Sequence, residues 1–276
     1  MDYCLKEVIE KRRSVRSYSS KPVEKEALDK LFSYAERLEN PFGPKIRLQL
    51  INKKTATNGE KLGTYGIIKG AETYIGVTVP DEQYAMEAVG YEFEQVVLYA
   101  TSLNLGTCWM GGTFKRSAFT AAMEIKENEL FPILSPIGYI AEKKSLAEKI
   151  MSKTVNSRAR LPWNELFFKD GFSNPLSEEA AGDYAYPLQM LRLAPSAVNK
   201  QPWRVVFADD AVHFFKKNSL GGNSAESSMQ NIDMGIGICH FHMAALEKDL
   251  KGHFERKAPD IELAADTSYT ISWIME

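Results

Sequence analysis

The sequence of 276 residues is poor in cysteine and histidine and contains no long apolar run. Its three cysteines are scattered and form no CxxC pair, which argues against a disulfide framework and fits a reducing cytosol. The N-terminus has no apolar stretch of the kind that signal peptides carry, and no stretch is long enough to cross a bilayer. From these absences we expect a soluble, cytoplasmic protein.

The chain also has no excess of one charge, because 34 lysines and arginines stand against 36 aspartates and glutamates, a net charge of −2. Without a general basic field, we expect neither nucleic acid nor a membrane surface as a partner, and any anion site must be local. The motifs HExxH, GxSxG, the P-loop and GxGxxG after a strand are all missing. His240 and His242 lie two positions apart in a helical pattern and point to different sides, so we expect no metal site.

Apolar periodicity divides the first half of the chain into helices and strands. The predicted helices cover residues 3–11, 24–38 and 88–103, and the predicted strands cover 46–51, 71–79 and 133–141. A polar-to-aromatic crossover follows at 143–172. The order is helix, strand, strand, long helix, strand.

The second half of the chain repeats this pattern. Residues 183–207 align with 26–50 without a gap, residues 232–254 align with 87–109, and the final residues 269–276 align with 135–142. Three blocks in the same order favour a true repeat. We therefore expect an α+β protein with two similar halves, 1–172 and 173–276. Each half would have a mixed or antiparallel sheet flanked by helices, and the halves would pack as a pseudo-dimer within one chain.

The first candidate site segment is KRRSVRSY, residues 11–18. Arg12, Arg13 and Arg16, with the hydroxyl of Ser14, place several donors within one turn. Guanidinium groups suit phosphate because they bind it at two points and stay charged at neutral pH. The alternative is a solvated basic helix end, which the helix dipole favours at a C-terminus.

The segment SRARLPW, residues 157–163, supplies two more cations. Arg158 and Arg160 share one face in an extended backbone, and Pro162 favours extended backbone at Leu161. With the first segment they could close around a phosphate. The alternative is a solvated linker.

The segment LAPSAVNKQPW, residues 193–203, offers neutral groups. Pro195, Ser196 and Ala197 predict a tight turn with backbone amides, and Asn199 carries the donor and acceptor that suit the edge of a polar heterocycle. The alternative is a helix end and a loop. Trp203 is expected in the core under either interpretation.

The segment CWMGG, residues 108–112, follows the long helix. Gly111 and Gly112 would let a ligand approach the backbone, although a helix-to-loop turn explains them equally well. Cys108 has no evident base partner and is interpreted as a packing residue, and the pattern favours the core for Met110. The glycines of GTYG, residues 63–66, give a weaker signal of the same kind.

Together, RRSVRSY, GTCWMGG, SRARLP and APSAVNKQPWR resemble the motifs of the FMN-dependent nitroreductase family, in its divergent single-chain branch. The resemblance implies a nitroreductase-like fold. In ordinary members, two subunits form a homodimer with two FMN sites, and each site takes RRS from one subunit and APSxxN from the other. Here RRS lies in the first half and APSxxN in the second, so the two halves resemble fused subunits.

The same comparison implies one FMN per chain. The repeat alignment places Glu39, Asn40 and Phe42 where the second half has Ser196, Ala197 and Asn199. The first half has therefore lost its turn, and the second half has no RRS. One site remains whole, and an internal pseudo-dimer makes a monomer the simplest assembly.

The resemblance also assigns residue roles. Arg12, Ser14 and Arg16 would hold the phosphate and the pyrimidine side of the flavin, Arg13 would lie against the ribityl chain, and Arg158 and Arg160 would complete the phosphate clamp. The turn at Pro195, Ser196, Ala197 and Asn199 would line the flavin ring. The full set implied to bind the cofactor is Arg12, Arg13, Ser14, Arg16, Trp109, Met110, Gly111, Gly112, Arg158, Arg160, Pro195, Ser196, Ala197 and Asn199. The polar pair that the family has near the ring finds no clear match around Gly63 and Gly66.

By this resemblance, NADH or NADPH would pass hydride to the flavin, which would then reduce a nitroaromatic, a quinone or another flavin. No protein nucleophile or general base is needed, because the cofactor carries the chemistry. Two other functions stay open. One is an FMN-binding protein without redox turnover, acting as a store, a carrier or a flavin-degrading relative. The other is a flavin-free pseudoenzyme.

Overall fold

The structure is a computed structural model of the chain, and it describes residues 3–53, 62–143, 145, 148, 158–218 and 224–276. The chain divides into two compact units. The N-terminal unit is Glu10–Val155, and the C-terminal unit combines Met1–Ile9 with Asn156–Glu276. Helix α1 (Leu5–Lys11) spans the point of division.

The N-terminal unit contains a four-stranded antiparallel sheet with the order β1-β2-β4-β3. Its strands are β1 (Arg47–Asn52), β2 (Thr73–Pro80), β3 (Leu105–Thr107) and β4 (Glu129–Tyr139), and its helices are α2 (Lys25–Ala35), α3 (Ala85–Ser102) and α4 (Arg116–Ala121). Helix α3 packs against β2 and β3. It is buried on every side, and three glutamates are buried with it: Glu87, Glu92 and Glu94.

The C-terminal unit contains a five-stranded sheet with the order β5-β6-β7-β9-β8. Its strands are β5 (Phe167–Lys169), β6 (Trp203–Ala208), β7 (Ala211–Lys217), β8 (Gly252–Glu255) and β9 (Thr267–Met275), and its longer helices are α5 (Ala185–Leu193) and α6 (Ser224–Glu247). Only the β5–β6 pair is parallel among the described strands, so this sheet is mixed. Trp203 is fully buried, as predicted.

The two sheets share one topology. Strands β1, β2, β4 and β3 follow each other across the first sheet in the same way as β6, β7, β9 and β8 across the second. Helices α2 and α3 precede the strands in the same order as α5 and α6, and the sequence alignment brings the last residues of α3 and α6, Ser102 and Glu247, to one position. The predicted α+β class with two similar halves is confirmed.

The compact units divide the chain differently from the predicted halves, 1–172 and 173–276. Strand β5 pairs with β6, and the chain from residue 156 therefore belongs with the second sheet. Leu5 at the start of α1 donates its backbone N–H to Glu247 at the end of α6, 3.1 Å away. The first residues of the chain are thus held by the C-terminal unit.

The predicted elements agree with the observed ones within a few residues. Strands β3, β5 and β8, with three or four residues each, were not predicted, and neither was the single-turn helix α4. Among the described residues, no helix is long and apolar enough to span a bilayer. No disulfide joins the three cysteines, all of which lie in the described part of the chain.

An ion pair stabilises the N-terminal sheet across its second strand. Arg47 on β1 donates from Nε and Nη2 to the two carboxylate oxygens of Glu129 on β4, at 3.0 and 2.5 Å. The backbone N–H of Lys126 also donates to Glu129, at 2.9 Å. These bonds, the Arg47 bond foremost, lower the pKa of Glu129 to about 2.

We predict that Glu129→Gln lowers the free energy of unfolding at pH 7 by about 2 kcal/mol, because it breaks a two-point, mostly buried pair. The folded-state pKa lies below the unfolded value, so the stabilisation is present above about pH 4.5 and is lost as the pH falls toward 2. Urea unfolding at several pH values checks this. The variant should lose less stability than the wild type over that acid range, and Glu24→Gln, in the exposed pair with Lys21, should show no change.

Candidate functional site

The basic segment of the N-terminal unit is extended and lies along the edge of the sheet. After α1 ends at Lys11, Ser14 forms a parallel bridge with Thr107, the last residue of β3. The N–H of Val15 donates to Thr107 O at 2.8 Å, and that of Tyr18 donates to Lys69 O at 2.9 Å. The segment is therefore an added strand and not a solvated helix end.

Two buried side chains fix this strand. Val15 and Tyr18 are 1% and 6% exposed, and the Tyr18 hydroxyl donates to Val15 O at 2.9 Å. Glycines make room for them. A Cβ on Gly106 would lie 2.8 Å from Val15 Cγ2, and one on Gly138 would lie 3.1 Å from the Tyr18 ring. The register of Arg12, Ser14 and Arg16 follows from this packing.

The arginines of this segment are held partly inside the unit. Arg12 and Arg16 are half-buried, whereas Arg13 is exposed. The Nε atoms of Arg12 and Arg16 are buried and have no hydrogen-bond partner among the described residues. A buried guanidinium donor without an acceptor is costly. These two atoms therefore mark a place where an acceptor ligand would lower the free energy.

A buried carboxylate faces Arg12. Glu94 on α3 is fully buried and accepts a hydrogen bond from the Trp109 indole Nε1 at 2.8 Å. Burial lowers the pKa of the Arg12 guanidinium, and the negative charge of Glu94 opposes that shift. Sequence reasoning missed Glu94, although a glutamate inside an apolar helical stretch was a visible signal.

The thiol of Cys108 lies among the same cations. Burial raises its pKa, and the charges of Arg16 and Arg12 and a hydrogen bond with Ser14 oppose the shift. Its backbone N–H donates to Ser135 Oγ at 3.1 Å. A thiol that keeps its proton is not a nucleophile, so the geometry agrees with a packing role.

The rest of CWMGG divides between core and surface. Met110 is buried and pairs with Leu134 through both of its backbone groups, at 3.0 Å each, which gives it a packing role. Gly111 O accepts from Arg116 Nη2 at 2.7 Å. Gly112 is exposed, and a Cβ there would meet nothing within 4 Å. Of the two glycines, Gly112 is the one at which the backbone is open to a ligand.

The neighbouring loop with Gly63 and Gly66 is a turn next to this segment. Lys115 N–H donates to Gly63 O at 2.8 Å, and Tyr65 has a φ of 47° and is 70% exposed. No polar pair of side chains stands out there.

In the C-terminal unit, the PSAVN turn (Pro195–Asn199) follows α5 directly. Its backbone enters the left-handed region at Val198 and Asn199, with φ values of 44° and 59°, and again at Gln201, with 50°. A β-branched residue with positive φ is strained, and Val198 is also 61% exposed. Ser196 Oγ accepts from Gln201 N–H at 2.9 Å and closes the turn.

The described part of SRARLP is bonded to this turn. Arg160 Nη2 donates to Leu193 O at 2.8 Å, Asn199 Nδ2 donates to Ala159 O at 3.0 Å, and Leu161 N–H donates to Gln201 Oε1 at 2.9 Å. Arg158 is exposed, and Ser157 lies outside the described residues. The candidate residues thus form one group in each unit: RRS with CWMGG in the N-terminal unit, and RAR with PSAVN in the C-terminal unit.

A buried aspartate also contacts the turn. Asp233 on α6 is 2% exposed and accepts the Ala197 N–H with both carboxyl oxygens, at 2.9 and 3.1 Å. Burial raises its pKa to about 8. Sequence reasoning missed this residue as well, although its polar character within the apolar stretch IDMGIGIC was visible.

The N-terminal unit fills the corresponding position with an aromatic side chain. Phe42, which aligns with Asn199, is 2% exposed and contacts the rings of Tyr84 and Tyr91. Asn40, which aligns with Ala197, accepts from Phe42 N–H at 2.8 Å and donates to Glu92. The described residues contain no group of three or more potential metal ligands. On α6, His240 is buried and contacts Met190 O at 3.0 Å, whereas His242 is half-buried and contacts the rings of Phe254 and Trp273.

Comparisons with known proteins identify the family and the fold of the chain. Residues 4–245 match the sequence profile of a family described as "Putative TM nitroreductase". A nitroreductase-family crystal structure from Thermotoga maritima has a TM-score of 0.62 and 20% identity, over 100% of this chain and 95% of that chain, which confirms the fold. A nitroreductase with bound FMN from Bacteroides fragilis has a TM-score of 0.43 and 19% identity, over 52% and 92% of the two chains. No curated protein matches the sequence.

We predict that Gly106→Ala lowers the free energy of unfolding by about 1–3 kcal/mol, because the new methyl group overlaps Val15 and the added strand must shift. Gly112→Ala, in open space, is the matched control and should leave stability unchanged. Chemical unfolding measures both variants. The double variant Gly106→Ala/Val15→Ala should cost less than the sum of the single changes, and strict additivity would contradict the overlap.

Proposed function

The chain belongs to the TM nitroreductase family, and we propose that it is an FMN-dependent oxidoreductase that moves two electrons from NADH or NADPH to a small acceptor. The acceptor class comprises nitroaromatics, quinones and flavins. The observation that carries the proposal is that the Nε atoms of Arg12 and Arg16 are both buried and have no hydrogen-bond partner in the described part of the chain.

The donor set of the N-terminal unit suits a phosphate ester. Arg12, Arg16 and Ser14 offer charged and hydroxyl donors, and their strand holds them at fixed register before any ligand arrives. Arginine fits this role better than lysine, because its planar fork bonds two phosphate oxygens at once. Glu94 offsets part of the buried positive charge and keeps Trp109 in place.

The donor set of the C-terminal unit suits a polar ring. The PSAVN turn offers backbone groups and small side chains, and Arg158 adds an exposed cation. Arg160 is bonded to backbone carbonyls, and we assign it the task of holding the turn as well as adding positive charge. FMN, when bound, supplies the two-electron chemistry, and the protein supplies binding, orientation and electrostatics.

We propose that the chain binds one FMN, and that the loop at Phe42 does not bind flavin. The buried Phe42 ring leaves its backbone no exposed polar turn comparable to PSAVN. Since one chain carries both copies of the topology, we also propose that the protein is a monomer, which light scattering in solution can test. We propose the cytoplasm as its location.

The proposed activity is tested by adding NADH or NADPH, without oxygen, to protein loaded with FMN. We expect one nucleotide to abolish the visible flavin absorbance and a nitroaromatic or quinone to restore it. Flavin that stays oxidised with both nucleotides would favour a binding protein without turnover. Folded protein that takes up no flavin would favour a pseudoenzyme.

We predict that Arg16→Gln raises the dissociation constant for FMN by about 10–100-fold, because it removes charge-assisted hydrogen bonds. Arg158→Gln should also weaken binding, though less, because its side chain is exposed. Fluorescence titration with FMN measures each variant. Arg37→Gln makes the same charge change at an exposed arginine outside both groups and should bind like the wild type. An Arg16 variant that also binds like the wild type would contradict the assignment.

A further inference from the structure

One interaction ties the PSAVN turn to the long helix of its unit. Asp233 lies within α6, is buried, and accepts the Ala197 N–H with both oxygens. Ala197 is the residue before the strained Val198. The bond therefore fixes the backbone at the point where the turn enters the left-handed region.

The turn needs such a tether because its own conformation is unfavourable. Val198 and Asn199 both have positive φ, which costs of the order of 1 kcal/mol or more for a β-branched residue. The Val198 side chain is mostly exposed and gains little from packing. Hydrogen bonds must therefore hold this backbone in place. Asp233 supplies two of them from helix α6, which belongs neither to the turn nor to the RAR segment.

Burial raises the pKa of Asp233, and the hydrogen bond from the Ala197 N–H opposes that shift. Charged groups on the elements packed against α6 are bonded elsewhere. They are Arg192 of α5, bonded to Leu161 O; Arg204 of β6, bonded to Gln201 O and Trp203 O; His213 of β7, in contact with Ser272 Oγ and Ala208 O; and Lys216 of β7, bonded to Asn231 Oδ1.

The N-terminal unit has a corresponding tether. Glu92 on α3 is 1% exposed and accepts from Asn40 in the loop between α2 and β1, and burial raises its pKa to about 7. In both units, a buried carboxyl on the long helix holds the loop that precedes the first strand of the shared topology. Only in the C-terminal unit does that loop carry candidate ligand groups.

We propose that Asp233 is the positioning residue of the flavin-binding turn, and that its carboxyl group holds Ala197 and Val198 in the conformation that accepts FMN. This inference rests on the proposed function for its ligand, whereas the tether itself does not. Asp233 does not touch the reacting atoms; it acts through the turn.

The protonation state of the carboxyl group sets what the tether does. Burial raises the pKa of Asp233 to about 8, so the group is neutral at pH 7. Ionisation at higher pH places a negative charge beside a turn that must accept the dianionic FMN, and affinity falls. The pKa of Asp233 is higher in the folded chain than in the unfolded chain. Between these two pKa values the unfolded chain releases the proton more readily, so the free energy of unfolding falls as the pH rises.

The first test needs no flavin. The Ala197 amide resonance is followed by nuclear magnetic resonance from pH 6 to pH 9.5. We expect its shift to titrate with a midpoint of about 8 in the wild type and to stay constant in Asp233→Asn. An amide that does not titrate in the wild type, or that still titrates in the variant, would overturn the tether.

The second test measures FMN affinity against pH. Between pH 7 and pH 9.5, the dissociation constant of the wild type should rise about three- to tenfold relative to that of Asp233→Asn. At pH 7, Asp233→Ala should bind FMN about tenfold more weakly and Asp233→Asn should restore most of the affinity, because the amide oxygen still accepts from Ala197.

Glu92→Gln is the matched control, because it alters a buried carboxyl that holds the corresponding loop of the other unit and lies outside both candidate groups. We expect it to change stability while FMN affinity stays within about twofold of the wild type. Equal FMN affinity in Asp233→Ala and the wild type would overturn the positioning role. If the wild type binds no FMN at any pH while the Ala197 amide titrates, the proposed function fails and the tether stands.

Discussion

The arrangement of the N-terminal unit depends on the packing of the added strand at Ser14–Tyr18 against two glycines of the sheet. Val15 enters the space that Gly106 leaves open, and Tyr18 packs against Gly138. Because backbone hydrogen bonds to Thr107 and to Lys69 fix the register, Ser14 is held beside Thr107 and Arg16 is held between Val15 and Tyr18. The guanidinium Nε atoms of Arg12 and Arg16 are buried, and their burial is costly unless a ligand supplies an acceptor.

The two units show how one topology can serve different ends. Both have a long helix with a buried carboxyl group that holds the loop ahead of the first strand, Glu92 in one and Asp233 in the other. In the N-terminal unit that loop is closed by the Phe42 ring, which adds to the core. In the C-terminal unit the same loop is a strained, partly exposed turn. Backbone strain of this kind is often found at functional positions. The two units therefore differ in this loop, whereas their sheets share one strand order.

Much of this fold could be read from the sequence, because α2, α3 and the central strands have clear apolar periodicity and recur in the same order. The short strands β3 and β8 could not, since three or four residues carry too little pattern and depend on their partner strand. The four motif segments were located by their chemistry. Their roles within the fold were not all visible: the strand at Arg12–Arg16 is set by distant Thr107 and Lys69, and Met110 is a core residue paired with Leu134.

The central claim is that the chain binds one FMN and that the buried arginines Arg12 and Arg16 are required to hold it. Its most direct test is the stoichiometry of FMN on the folded protein, measured by the visible absorbance that stays with the chain after saturation and desalting. The account predicts close to one FMN per chain. Two per chain would contradict the loss of the second site, and none on folded protein would contradict flavin binding by the buried arginines.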